Sequence, residues 1–350
     1  LLATCQRMNL ATLLSTSRHR TLTTAQIMQL VIVAAVPGII VMTWVFGIGV
    51  LFNIAWLTAV ALAMEAAALA CRGKNLRRGL GDYSAIVTAL LLALSMPPAS
   101  PWWLGVIGIF FAIVVAKQLY GGLGYNPFNP AMAGYAVLLI SFPVEMTRWL
   151  LPVQMNAALP DLSALLAQFT GTSQESMDAY VGATALDQFK LERGGMTVEE
   201  YWQGNPLYGT FSGTGWEWIN AAFLTGGLYM LYRKIITWHI PTAMLASLSL
   251  FALLFYDGGS SNSAGSPLFH LFGGAAMMGA FFIATDPVSG PATNRGKLIY
   301  GGLIGFLVYS IRVWGTYPDG VAFAVLLANF CAPAIDLFWR KPRSETTDAG

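Results

Sequence analysis

Cysteine is scarce in this chain of 350 residues: Cys5, Cys71 and Cys331 are widely scattered and form no C-x-x-C pair. That excludes a disulfide framework and a self-contained iron–sulfur or zinc site. Histidine is equally sparse, and His239 is expected to open helix 7 on the inside while His270 starts helix 8 on the outside, which argues against a shared haem. No G-x-G-x-x-G or G-x-x-x-x-G-K run occurs, so the chain lacks the usual nicotinamide and nucleotide fingerprints. Charge is the largest deficit. Charged residues make up 10% of the chain, well under the quarter or so of an average soluble domain.

What replaces charge is apolar surface. Hydrophobic residues reach 56% and the mean hydropathy is +0.60, which defines an integral membrane protein in contact with lipid. Apolar runs at 27–46, 51–71, 102–120, 218–232, 240–256, 268–284, 298–313 and 321–339 are mostly of a length to cross a core of about 30 Å. Shorter runs at 84–96 and 131–142 bring the expected helices to ten. The first run is read as a retained helix, because it contains Pro37-Gly38 and no small-residue cleavage pattern follows it.

Basic residues near helix ends stay on the cytoplasmic side. An internal amino terminus puts all but Arg148, Lys190, Arg193 and Arg312 inside. The long polar segment between helices 5 and 6 is then external. It carries many carboxylates, from Glu145 to Glu200, against three basic residues. This topology explains the basic inner face without nucleic acid. The expected organisation is a cytoplasmic tail (1–23), a first membrane repeat (24–143), an external loop (144–216), a second repeat (217–340) and a cytoplasmic tail (341–350).

Two halves match at an offset of roughly 190 residues: Ala136-Val-Leu-Leu-Ile-Ser-Phe142 aligns with Ala324-Val-Leu-Leu-Ala-Asn-Phe330, and Pro97 and Pro101 with Pro287 and Pro291. Five helices per half force the second copy to be inverted. Inverted repeats place a ligand or ion path near their interface, at short or Gly/Pro-interrupted helices. A small-solute channel or carrier is built the same way, so a flavin-free transporter is the competing class.

Ionisable residues inside a membrane are functional candidates by default. Glu65, in helix 2, and Asp336, near the end of helix 10, are the candidates for an ion path. A protonated, hydrogen-bonded Glu65 and an interfacial pairing of Asp336 with Arg340 and Lys341 are the plainer alternatives. Trp102, Trp103, Trp216, Trp218 and Trp314 read as an interfacial aromatic belt, with electron tunnelling or cofactor stacking as the alternative. In the loop, Asp178-Ala-Tyr-Val-Gly-Ala-Thr184 offers a hydroxyl behind two minimal side chains, Gly182 and Ala183, with a carboxylate nearby. Thr184 as the N-cap of a helix with Asp187 in its first turn is an equally good reading.

Several long motifs carry a family resemblance. Lys117-Gln-Leu-Tyr-Gly-Gly-Leu-Gly-Tyr-Asn-Pro-Phe-Asn-Pro-Ala131, Thr285-Asp-Pro-Val288, Thr293-Asn-Arg-Gly296 and Tyr317-Pro-Asp-Gly-Val-Ala-Phe-Ala-Val-Leu-Leu-Ala-Asn329 closely resemble the NqrB/RnfD family. These are membrane subunits of the Rnf (Rsx) ferredoxin:NAD+ oxidoreductase and of the sodium-pumping NADH:quinone oxidoreductase. The resemblance covers about 24–340. It implies FMN bound covalently through its phosphate to a threonine in a D-x-x-[ST]-G-A-[ST] sequence of the external loop, installed from FAD by a flavin transferase. Asp178, Gly182, Ala183 and Thr184 match that pattern and make Thr184 the acceptor, while Val181 stands where Ser or Thr is usual. It further implies a non-covalent riboflavin, location in the bacterial inner membrane with the loop periplasmic, and partner subunits carrying iron–sulfur clusters, the NADH site and a second covalent flavin.

Overall fold

The computed structural model describes residues 22–155, 159–172, 177–191, 195–317 and 319–339. The two expected tails therefore lie almost wholly outside the described residues, as do Cys5, Arg193, Arg340 and Lys341. The chain is a helical bundle. In chain order its principal helices are α1 (Thr24–Phe46), α2 (Gly49–Cys71), α3 (Ser84–Ser95), α4 (Trp102–Gln118), α5 (Pro130–Ser141), α6 (Trp216–Tyr232), α7 (His239–Leu254), α8 (Ala276–Met278 continued by Gly279–Ile283), α9 (Asn294–Trp314) and α10 (Val321–Trp339). Four of them, α1, α2, α9 and α10, are long and apolar enough to cross a membrane.

The other expected spans are shorter than the ~20 residues a crossing takes, and several stop at a recognisable signal. Met96-Pro97-Pro98 ends α3, since a residue before proline is pushed out of the helical region. The apolar run at 268–284, expected as one helix, is broken. Its first part is the short helix Pro267–Phe272, and Gly274, at φ +55, turns the chain before α8 begins. The second half of α4, Phe110–Gln118, and the second half of α8 are π-helical. Such widened turns are rare and occur mostly at functional sites.

Where helices lie close, glycine makes it possible. On α9, a Cβ at Gly301 would meet Ile240 O of α7 at 2.6 Å, and one at Gly305 would meet Met244 O at 2.2 Å. On α6, a Cβ at Gly226 would lie 2.0 Å from Ala34 O of α1. Small residues at such spacing let helix backbones approach in lipid, where packing rather than water exclusion drives association. The halves also meet through polar groups: Asn129, capping α5, donates its backbone N–H to Asn329 Oδ1 (3.0 Å) and its Nδ2 to Ile283 O (3.2 Å).

The segment between α5 and α6 carries a two-stranded antiparallel ladder, β1 (Trp149–Leu150) with β2 (Val181–Gly182), and the short helices Leu162–Thr170, Ala185–Leu191 and Val198–Trp202. Its own small core joins Leu186, Phe189, Leu207 and Tyr208 to Phe269 in the short helix before α8. The loop thereby rests on the second half of the bundle.

Gly305→Ala is expected to destabilise the protein by about 1–3 kcal/mol, because the methyl forces two backbones apart. Gly302→Ala, with nothing within 4 Å of its Cβ, serves as the control. The thermal midpoint in detergent reports both, and equal midpoints for the two variants would contradict the close-approach reading.

Candidate functional site

Two clusters of polar side chains sit within otherwise apolar surroundings. In the first, Lys117 on the π-helical turn of α4 and Glu65 on α2 form an ion pair at 2.9 Å, each 2% exposed. Lys117 Nζ also donates to Ser84 Oγ at the start of α3 (2.8 Å), and Gln118 Nε2 donates to the same Glu65 Oε1 (2.7 Å). Glu65 Oε2 has no hydrogen-bond partner among the described residues. Three elements are thus tied into one buried cluster. Arg72 extends the network by reaching Gln118 Oε1 (2.6 Å) and the carbonyl oxygen of Gly121 (3.0 Å).

Arg312, at the end of α9, is the second such cation. Its guanidinium donates to His270 O (2.6 Å), Gly273 O (3.0 Å) and Asp319 Oδ1 (3.1 Å). Asp319 in turn accepts from Ala275 N at 2.7 Å. The broken stretch before α8 is thus held by a cation on one side and a carboxylate on the other. His239 stacks on its neighbour Trp238 and takes no part in this network.

Beside the Arg312 network lies a cavity lined by Tyr135, Trp149, Thr184, Asp187, Trp216 and Asp319, among others. Thr184 is half-buried there. Its hydroxyl donates to Asp187 Oδ2 (2.6 Å), and the Asp187 N–H returns a bond to Thr184 Oγ1 (3.3 Å), so Thr184 caps the helix Ala185–Leu191. Burial holds the Asp187 carboxyl above the ordinary carboxylate range; the Thr184 hydrogen bonds pull it down, nearby Asp319 pushes it up and Lys190 lowers it. The short helix is docked firmly, with Lys190 Nζ donating to Ile311 O (3.2 Å) and Tyr317 O (3.0 Å), and Tyr208 OH to Ala185 O (3.0 Å).

The other sequence candidates separate from this point. Asp178 is exposed and ion-paired with Arg148, so the carboxylate that meets the Thr184 hydroxyl is Asp187. Gly182 lies in β2, where a Cβ would come 2.7 Å from Leu151, and Ala183 is exposed. Asp336 holds the turn that leads into α9 by accepting from Ala292 N (2.8 Å) and Thr293 Oγ1 (3.1 Å), while Thr293 itself caps the helix. Glu65 and Asp336 belong to separate clusters. Sequence reasoning does not single out Lys117, Arg312, Asp319 or Trp149. A cation inside an apolar run is a usable signal for the first two, whereas the roles of Trp149 and Asp319 depend on chain reversals that periodicity does not reveal.

An apolar bundle with buried ionic clusters, and a helix-capping threonine facing a cavity among its helix ends, defines an integral membrane protein with a polar site. The NQR2, RnfD, RnfE family model matches residues 13–344, and the chain belongs to that family. Among its relatives is a protein of Pseudomonas aeruginosa (strain UCBPP-PA14) described as the D-type component of an ion-translocating oxidoreductase complex, 54% identical over 92% of this chain and 91% of its own. Proteins of the same description from Cellvibrio japonicus, 53% identical over 92% and 90%, and Salmonella newport, 50% identical over 93% and 95%, match at similar extent.

Two outcomes follow from these clusters. Lys117→Met should cost about 3–5 kcal/mol, since it leaves a buried carboxylate without its partner. The double variant Glu65→Gln/Lys117→Met should recover a substantial part, giving a coupling energy in a double-mutant cycle. Additive losses would mean that the pair does not act as a unit. At Asp187 the raised folded pKa means that the stability linked to its proton is present at low pH and lost as pH rises through that pKa. Asp187→Asn keeps an accepting oxygen for the cap and removes the charge, so its thermal midpoint should match the parent in acid and exceed it increasingly toward neutral pH. A constant difference across pH would remove the linkage.

Proposed function

We propose that this chain is a membrane subunit of a redox-driven, ion-translocating complex of the ferredoxin:NAD+ oxidoreductase (Rnf) type, and that it carries electrons through FMN joined by its phosphate to Thr184 Oγ. The observation that carries the reading is the position of Thr184. The one hydroxyl at the end of the D-x-x-V-G-A-T stretch opens into a cavity with an aromatic and apolar wall, where a flat conjugated ring finds contact surface and partial shelter from water. The names of the relatives support the assignment to a complex.

The residues present fit such a group. Thr184 supplies the attachment oxygen, and Ala183 and Gly182 leave its approach free of bulky side chains. A covalently held flavin supplies electron transfer in one- or two-electron steps at high effective concentration. In transfer from FAD by the transferase, the Thr184 Oγ–P bond would form as the pyrophosphate P–O bond breaks and AMP leaves, and Asp187, with its carboxyl held above the usual range, is placed to take the hydroxyl proton. A phosphodiester carried on Thr184 would add negative charge near Asp187 and would favour its protonated form further. Lys190 and the Arg312 network hold the loop and the helix ends that surround the site.

The same proposal includes ten membrane helices in two inverted repeats, an inner-membrane location with both termini cytoplasmic, and a periplasmic 144–216 loop. The placement of Lys117 and Arg312 at the ends of the fourth helix of each half supports the repeat. The partners are subunits bearing iron–sulfur clusters, the NADH site and a second covalent flavin, with a flavin transferase needed for maturation. A non-covalent riboflavin belongs to the same reading, and a further cavity opens between the halves, lined by Ser84, Lys117, Asn126, Asn129 and Asp286. Of the two ion-path candidates, Glu65 is the stronger, because its Oε2 is left without a partner among the described residues while both oxygens of Asp336 are engaged.

The test is a denaturing gel of protein purified from cells that contain the transferase. Flavin fluorescence should stay with the wild-type band, vanish in Thr184→Ala and persist in Thr184→Ser. A dark wild-type band would sink the electron-carrier reading in favour of a flavin-free channel or carrier. Full activity of a complex assembled with Thr184→Ala would reduce the chain to a scaffold.

A further inference from the structure

Trp216 reads from sequence as an interfacial anchor, but its surroundings say otherwise. Trp216, the first residue of α6, and Trp149, in β1, are both half-buried and both line the cavity that Thr184 faces. Their ring centroids are 5.1 Å apart at 64°. Phe46, 1% exposed, packs on both, at 5.6 Å from Trp149 and 5.5 Å from Trp216. The two indoles are therefore backed by a rigid third ring and offer their remaining surface to the cavity. Trp218, two residues further on, is 60% exposed and has the character of a lipid-facing anchor.

The loop ladder fixes the wall relative to the attachment point. Trp149 lies directly across from Gly182, which stands two residues before Thr184. Gly182 puts no side chain onto the strand pair at that point, and the pairing fixes Trp149 against the stretch that leads, two residues on, to Thr184. Aromatic rings pair at offset or edge-on geometries with centroids about 4.5–7 Å apart, and such pairs gain energy beyond the area they bury.

We propose that Trp149 and Trp216 form the contact wall for the isoalloxazine ring of the flavin carried at Thr184, holding the ring inside the cavity instead of free in solvent. The inference rests on the flavin reading of Thr184 and adds to it the ring-binding residues. It assigns Trp149 and Trp216 to cofactor binding and leaves the membrane-anchoring role to residues such as Trp218.

An indole in contact with a flavin quenches its fluorescence, because an electron passes from the indole to the photoexcited ring and returns with no net oxidation. The experiment compares native flavin emission with the covalent load read from the denaturing gel of the same sample. At equal load, Trp149→Phe and Trp216→Phe should each raise native emission several-fold, the double variant more, and Trp218→Phe not at all. A second measurement needs no variant: the excited-state lifetime of the wild-type flavin should lengthen when the protein is unfolded in denaturant. Bright bands with unchanged native emission in the double variant, or a lifetime equal in folded and unfolded protein, would overturn the wall while leaving the Thr184 bond intact. A dark wild-type band would overturn the flavin reading and the wall together.

Discussion

Backbone hydrogen bonding where helices stop inside an apolar bundle is the constraint on which this structure depends. Lipid supplies no donors or acceptors, so a helix end at depth persists only if protein groups satisfy it. The chain answers with single polar side chains aimed at broken backbone. Arg312 takes the carbonyls of His270 and Gly273. Asn220 Nδ2 takes those of Phe272 and Gly274, each at 2.9 Å, while its Oδ1 accepts from Met277 N at 3.1 Å. Asn53 does the same for Pro97 O at 2.8 Å, and Asn129 for Ile283 O.

The interruptions also create space. A helix that continues fills its own axis with backbone, whereas one that stops at Pro97 or turns at Gly274 leaves a gap beyond its end. Both cavities described above lie at helix ends, one lined by Gly273 and Gly274, the other by Asp286 and Pro287. The first is then closed over by the loop, whose small core uses Phe269 as its floor and whose Lys190 clamps carbonyls at and after the end of α9. Packing of the loop, local backbone breakage and the exposure of one hydroxyl are therefore parts of a single arrangement.

Much of this is legible in the residues, and what is not has a physical reason. The long helices α1, α2, α9 and α10 follow from long apolar runs, and the end of α3 from Pro97-Pro98. Continuity across 268–284 is the wrong expectation, because hydropathy does not distinguish one long helix from two short ones joined by glycines. At the site, the spacing of Thr184 and Asp187 points to the cap. It does not reveal that Asp178 turns to Arg148, since that contact depends on where β1 meets β2. The basic residues expected to pair with Asp336, Arg340 and Lys341, lie outside the described residues, and what the fold adds is a contact that periodicity does not reveal, from Ala292 N at the entry to α9.

The cap observed at Thr184 leaves room for the attachment proposed there. As a cap, its oxygen accepts from Asp187 N at 3.3 Å, and that contact uses a lone pair that an ester oxygen retains in part. As the proposed acceptor for a phosphoryl group, it would give up only the proton shared with Asp187 Oδ2. A carboxylate already biased toward its protonated form can keep the 2.6 Å contact by reversing its direction, donating where it formerly accepted. The helix Ala185–Leu191 would then keep its start if the hydroxyl carried the proposed substituent, so the cap and the attachment would not compete for the loop that positions them.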